Sequence, residues 1–256
     1  MQKEAVKFQS STLFEGMTSI RALLEAMNRG VSDRRIESIL LDADKVRKNS
    51  KTIGYLRAVS EKYGFSLETV SHDKIEEVAL GESHGGILCR ASERNIPMLS
   101  PEDIRENGFY CMMEGIEDPY NFGYSLRSLY ACGCDGILLP MRNWMSAAGV
   151  VCRSSAGASE LLPMWMGEAA DIVKIFKDAG YQIVCAHEKT ENILGKCELK
   201  LPILLLVGGE KRGISASVLE QADTLVKIDY KREFHASLSA ASATTIFSYE
   251  IARQNS

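Results

Sequence analysis

The run Pro202–Val207, P-I-L-L-L-V, is apolar without a break and stops at Gly208-Gly209. Side chains of a strand alternate between two faces, so a strand apolar on both must be covered on both. That is the position of an interior strand in a parallel sheet flanked by helices. The segments around it fit the same plan. Phe109–Gly115, Gly136–Leu139, Leu161–Met166, Tyr181–Ala186 and Thr224–Ile228 read as further strands. Asn121–Cys132, Trp144–Ser155, Ala169–Ala179, Ser215–Gln221 and Ser237–Gln254 read as the helices between and after them. Alternation of this kind predicts the α/β class.

A second, smaller α/β unit is expected over residues 13–92. In L-F-E-G-M-T-S-I-R-A-L-L-E-A-M-N-R-G, residues Ile20, Leu23, Leu24 and Met27 form a helical stripe closed by Gly30. R-I-E-S-I-L-L-D, S-L-E-T-V and G-G-I-L-C-R-A-S read as strands, with helices at Ser50–Gly64 and in H-D-K-I-E-E-V-A-L. Residues 93–107 carry two prolines and six formal charges and interrupt the pattern. The expected division is therefore 1–92, a linker at 93–107, and 108–256.

With 256 residues, 45% hydrophobic and 25% charged, the composition is that of a globular chain. No apolar run approaches the ~20 residues of a membrane span. The start, M-Q-K-E-A-V-K-F-Q, lacks a secretory layout, so a cytoplasmic protein is expected. The seven cysteines are scattered, which favours reduced buried thiols over disulfides or a metal site. The net charge of −4 is not that of a general polyanion binder. The first 105 residues balance at 16 basic and 16 acidic, so a nucleic-acid surface must be a local patch. Lys45, Arg47, Lys48 and Lys51 form the densest basic cluster, although a solvated face reads the same way. Of the four histidines, His72, His84, His187 and His235, no spacing makes His235 a metal ligand, and His84 in S-H-G-G reads equally as a turn histidine with a structural hydrogen bond.

Three loops follow expected strands and open toward helices, the edge at which parallel α/β sheets bind ligands. The first is E-D-P-Y-N-F-G-Y-S-L-R, with Asn121 a candidate N-cap and Arg127 on the helix. An ordinary capped helix with an exposed arginine has the same pattern. The second, L-L-L-V-G-G-E-K-R-G-I-S, offers Gly208 and Gly209 for close backbone approach. It lacks the Gly-Lys-Ser/Thr ending of a phosphate loop, and the first strand–helix turn has no dinucleotide fingerprint. A glycine-lined adenosine pocket fits it better. The third, I-D-Y-K-R-E-F-H-A-S-L-S-A-A-S-A, begins the last helix with small residues, which also suits tight helix packing.

In this order and at these separations, the three loops resemble the motifs of the SpoU/TrmH branch of the SPOUT methyltransferases. V-V-C-R-S-S-A-G-A-S-E-L-L-P (Val150–Pro163) resembles the stretch between the first two motifs. F-E-G-M-T-S-I-R-A-L-L-E-A-M-N-R-G and E-S-H-G-G-I-L-C resemble the substrate-binding domain that precedes the catalytic domain in rRNA guanosine 2′-O-methyltransferases. The resemblance covers nearly the whole chain. It implies a C-terminal parallel-sheet domain tied in a deep trefoil knot, S-adenosyl-L-methionine as cofactor, no metal, and a homodimer acting on RNA, rRNA before tRNA.

The same resemblance implies site residues. Arg127 matches the catalytic arginine, with Asn121 orienting it or the ribose, Glu210 anchoring it, and Ser237 holding a substrate oxygen. Gly208, Gly209, Ile228, Leu238 and Ser239 would hold the cofactor, and His84 and Arg153 the RNA. Two departures stand out. Asp229 and Tyr230 follow Ile228 where the family reads Pro and Met, and Ser239 occupies an asparagine position. Arg153 stands where lysine is common.

Overall fold

The computed structural model describes residues 11–46, 48–142, 144, 146–233 and 236–256. Arg47 of the basic cluster and His235 lie outside the described residues. The chain forms two compact units: residues up to Asn95 with Trp144–Leu161, and Ile96–Asn143 with Leu162–Ser256.

The first unit contains β1 (Leu13–Glu15), α1 (Gly16–Arg29), β2 (Ile36–Asp42), α2 (Ala43–Val46), α3 (Ser50–Tyr63), β3 (Ser66–Val70), α4 (His72–Val78) and β4 (Ile87–Ala91). Two short helices from later in the chain, α6 (Ala148–Ser154) and α7 (Ala158–Leu161), complete it. Its sheet runs β1-β4-β2-β3, with β2 and β3 parallel and the other pairs antiparallel. The stripe on α1 is buried as expected, at Ile20, Leu23 and Leu24. Gly30, at φ 68°, closes the helix by donating to the Ala26 and Met27 carbonyls.

Leu13–Glu15 is a strand rather than the start of that helix. It pairs with β4, Leu13 opposite Arg90 and Glu15 opposite Leu88, a partner local periodicity does not register. Residues 144–161, expected in the second domain, belong to the first because its core needs them. Ala148 and Cys152 are buried with Phe14, Ile20, Leu23 and Ile39. Glu160 neutralises Arg34, whose Nε donates to Oε2 at 3.0 Å, with both side chains fully buried. Arg34 also donates to the Ser92 carbonyl at 2.6 Å and lies over the Phe14 ring.

The second unit contains β5 (Phe109–Glu114), α5 (Pro119–Ala131), β6 (Gly136–Pro140), β7 (Met164–Gly167), α8 (Ala169–Asp178), β8 (Gln182–Ala186), β9 (Ile203–Gly208), α9 (Ala216–Leu219), β10 (Thr224–Val226) and α10 (Ala240–Gln254). All its strand pairs are parallel, in the order β10-β8-β9-β5-β6-β7. The apolar run is β9, interior as required, with Ile203 to Leu206 wholly buried. Leu204 and Leu206 pack with Ile172, Val173 and Phe176 of α8. The small residues opening α10 serve packing against α5: Ala240, Ala241 and Thr244 are buried, and Thr245 Oγ1 meets Ser128 Oγ at 2.6 Å.

The expected linker is largely built into this unit. Met166 donates to the Pro97 carbonyl and Leu99 to the Met166 carbonyl, both at 2.8 Å, so residues 97–99 line the edge of β7. All seven cysteines are free thiols. Among the described residues no helix is long and apolar enough to cross a membrane.

Candidate active site

Three loops meet at the carboxyl edge of the parallel sheet. The first links β5 to α5. Its cap is Asp118, not Asn121: the Asp118 carboxylate accepts from the Tyr120 and Asn121 N–H groups at 3.4 and 3.0 Å, and Pro119 takes the first helical position. Proline there needs no N–H partner, and the carboxylate suits the positive end of the helix. With the cap supplied by Asp118, the Asn121 amide is released for another contact. It donates through Nδ2 to Glu210 Oε1 at 3.1 Å.

The second loop leaves β9 and turns back sharply. Gly209 donates to the Glu114 carbonyl at 2.7 Å and accepts from Gly213 N–H at 2.9 Å. A Cβ on Gly209 would lie 2.0 Å from the Gly115 carbonyl oxygen, and one on Gly208 would lie 2.6 Å from the Gly213 carbonyl carbon. The missing side chains thus admit neighbouring backbone of the first and second loops. Lys211 pairs with Glu117 at 3.1 Å, and Lys211 beside it holds that carboxyl below its ordinary range. Arg142, which the motifs did not single out, donates to the Ile116 carbonyl at 2.8 Å and fastens the first loop from the end of β6.

The third loop runs from β10 to α10. Ser239 is the cap of α10, accepting from Ser242 N–H at 3.2 Å. The helix therefore starts at Ala240, three residues later than the pattern predicted. Leu238 N–H donates to the Tyr230 hydroxyl at 3.1 Å, which ties the end of this loop to its start. Ala240 N–H donates to Glu210 Oε1 at 3.4 Å. One carboxylate oxygen of the second loop thus holds both the first and the third.

Beside this junction lies a cavity of about 1010 Å³ in the second unit. Gly208, Gly209, Glu210, Ile228, Ser237 and Leu238 line it, six of the nine residues expected of the catalytic and cofactor sites. Ser239 does not, because its hydroxyl faces Ser242 in the cap. Asn121 borders a smaller neighbouring cavity of about 100 Å³ that shares Gly209 and Glu210. Arg127 is exposed on α5 and lines neither. Its side chain makes no ion pair or hydrogen bond among the described residues, so Glu210 anchors Asn121 rather than Arg127. Val207, Ile214, Val226 and Phe247 give the large cavity an apolar wall.

Both expected RNA contacts lie in the first unit. His84 is 5% exposed and its ring is engaged internally: Nδ1 accepts from Gly86 N–H and Nε2 meets Glu76 Oε1, each at 3.0 Å. Arg153 donates to the buried Glu15 carboxylate at 2.6 Å and lines a separate cavity of about 400 Å³. Glu15 also accepts the Leu80 and Gly81 N–H groups, so it sets the turn before His84. No group of His, Cys, Asp and Glu among the described residues could hold a metal ion.

Known proteins share this architecture. The chain is 28% identical over 238 residues to the 23S rRNA (guanosine-2′-O-)-methyltransferase RlmB of Shewanella oneidensis, covering 90% of this chain and 94% of that one. It is 24% identical to YacO of Bacillus subtilis, described as a putative TrmH family tRNA/rRNA methyltransferase, covering 87% and 90%. The AdoMet-bound rRNA methyltransferase from Sinorhizobium meliloti has a similar fold, with TM-score 0.78, 20% identity, and coverage of 94% and 87%. Residues 108–249, more than half of the chain and all three loops, match one family throughout. The chain belongs to the SpoU rRNA methylase family.

Proposed function

We propose that this protein methylates a ribose 2′-hydroxyl of RNA in the cytoplasm, taking the methyl group from S-adenosylmethionine, with an rRNA guanosine as the target class. One observation carries the reading: Glu210 Oε1 joins Asn121 of the first loop to Ala240 of the third, beside the large cavity. The residues there fit the cofactor. Gly208 and Gly209 bring bare backbone to the cavity wall, and the apolar wall of Val207, Ile214, Val226 and Phe247 suits a purine. When bound, the cofactor supplies a methyl group already activated by its sulfonium.

The protein has then to align the ribose oxygen and stabilise the charge that develops on it. Arg127 takes the second task. A guanidinium offers donors and no acceptor, so it grips the adjacent phosphate and the developing alkoxide rather than acting as base. Its exposure, with no partner among the described residues, leaves the whole fork for the RNA. Asn121, steadied by Glu210, orients the ribose, and Ser237 binds a substrate oxygen. Ile228 and Leu238 hold the cofactor through their backbone. Ser239 contributes through the cap it makes, and Arg153 and His84 shape the RNA surface of the first unit.

The chain is proposed to work as a homodimer. Tyr120 and Tyr124 on α5 and Ile246 and Tyr249 on α10 are large apolar residues left exposed on two helices that pack together. The return of α10 onto α5 and β9 supports the knot expected from the family. The test is transfer of labelled methyl to rRNA transcripts, followed by alkaline hydrolysis. A 2′-O-methyl blocks cleavage at the modified site, whereas cleavage there would mean base methylation. Near-normal transfer by Arg127→Ala would remove Arg127 from the mechanism.

A further inference from the structure

His187 is the first residue after β8 and lines the large cavity. Its N–H donates to the Val226 carbonyl at 3.0 Å. The register Ala186 to Val226 and Cys185 to Leu206 sets it level with Lys227 and Gly208, at the sheet edge from which the second and third loops depart. The ring is also oriented: Nδ1 accepts from Lys189 N–H at 3.1 Å. A ring nitrogen that accepts carries no hydrogen, so neutral His187 bears its proton on Nε2. Among the described residues Nε2 has no partner.

The charges around it select what it can meet. Glu188 follows directly in the cavity wall, and the Lys227 ammonium faces Glu191 at 3.9 Å. A carboxylate in the wall and an ammonium turned to another carboxylate make this end unfavourable for a ligand carboxylate. Purine nitrogens and ribose oxygens are neutral acceptors, and Val226 and Val207 lie in the adjoining strands. We propose that His187 is a cofactor-binding residue whose Nε2–H donates to the adenosine half of S-adenosylmethionine. The proposal rests on reading the cavity as the cofactor site.

The test is calorimetry on the full chain with two ligands, S-adenosylhomocysteine and methylthioadenosine, which lacks the amino-acid tail. His187→Ala should bind both about three- to tenfold more weakly, the loss of one neutral hydrogen bond. His187→Gln, which restores an N–H donor at similar reach, should recover most of it. In the wild type with ¹⁵N-labelled histidine, the Nε2–H resonance absent from His187→Gln should shift on titration with methylthioadenosine. That readout needs no variant to bind. Unchanged affinity in His187→Ala, or no Nε2 shift, overturns the assignment. Weakening for S-adenosylhomocysteine alone moves the contact to the amino-acid tail and also overturns it. If the wild type binds neither ligand, the cofactor reading of the cavity itself fails.

Discussion

Gly209→Ala puts the junction of the first two loops to a quantitative test. The added methyl would sit 2.0 Å from the Gly115 carbonyl oxygen, 2.4 Å from its carbon and 2.9 Å from Ile116 N. All three are backbone atoms, so no side chain can swing away. Restoring an ordinary contact of 3.4 Å or more requires the loops to part by about 1.4 Å. Overpacking of this kind costs about 1–3 kcal/mol. The Gly209 N–H bond to Glu114 O, 2.7 Å in the same contact, adds about 0.5–1.5 kcal/mol if it is lost. At about 2–4 °C per kcal/mol for a chain of this size, the melting temperature should fall by roughly 5–15 °C. The same movement separates Glu210 from Asn121, and a displacement near 1 Å costs on the order of 100-fold in rate. Methyl transfer to an rRNA transcript should therefore drop about 100-fold in kcat/KM at a temperature where the variant is folded. Gly54→Ala is the control, since nothing lies within 4 Å of its Cβ position in α3. It should be neutral or stabilising by up to about 1 kcal/mol. If Gly209→Ala kept activity within threefold and melted within 1 °C of the wild type, the packing argument for this junction would be wrong.

Three further outcomes are expected. Glu160→Ala removes the carboxylate that pairs with the buried Arg34 and should lose about 3–5 kcal/mol in urea melts, and a loss below 1 kcal/mol would contradict that. The Arg253 guanidinium beside Glu250 holds its carboxyl down at about 2, below its ordinary 4.5. A depressed carboxyl stabilises the fold above its unfolded value and loses that effect as pH falls through the folded one. The stability gap between wild type and Glu250→Gln should thus be open near neutrality and close between about 4.5 and 2, and a gap constant across that window would refute the sign. Cys132 and Cys197 are partly exposed while the other five thiols are buried, and burial pushes those of Cys152 and Cys185 up to about 12. A thiol reagent should count two cysteines in the native protein and the remaining five only after denaturation.

The sequence was most informative where structure is local or where a strand is buried on both faces. The β9 run announced an interior parallel strand, and the stripe on α1 with Gly30 marked a helix and its end. The three loops could be picked out because strand ends and glycines mark them. Legibility failed where partners are distant. Leu13–Glu15 reads as the first turn of α1, because the strand it pairs with lies more than 70 residues later. Asn121 and Asp118 are both good caps, and only the Glu210 contact separates their roles. Arg142 and His187 carry no motif, and their placement follows from sheet register and loop closure. Residues 144–161 have ordinary helical patterning that does not say which core they enter.

That last segment has a consequence for how the chain is made. The first unit's core includes Ala148 and Cys152, and its buried Arg34 is neutralised by Glu160, so residues 1–95 cannot complete it alone. A ribosome adds about 5–20 residues per second, and the 66 residues from 96 to 161 then take roughly 3–13 s. During that interval the amino-terminal part, already synthesised, holds an open apolar face and an Arg34 that lacks Glu160 while part of the second unit emerges. A chain cut after Asn95 inherits that state permanently. The unit is separable as a body but not as a stretch of gene.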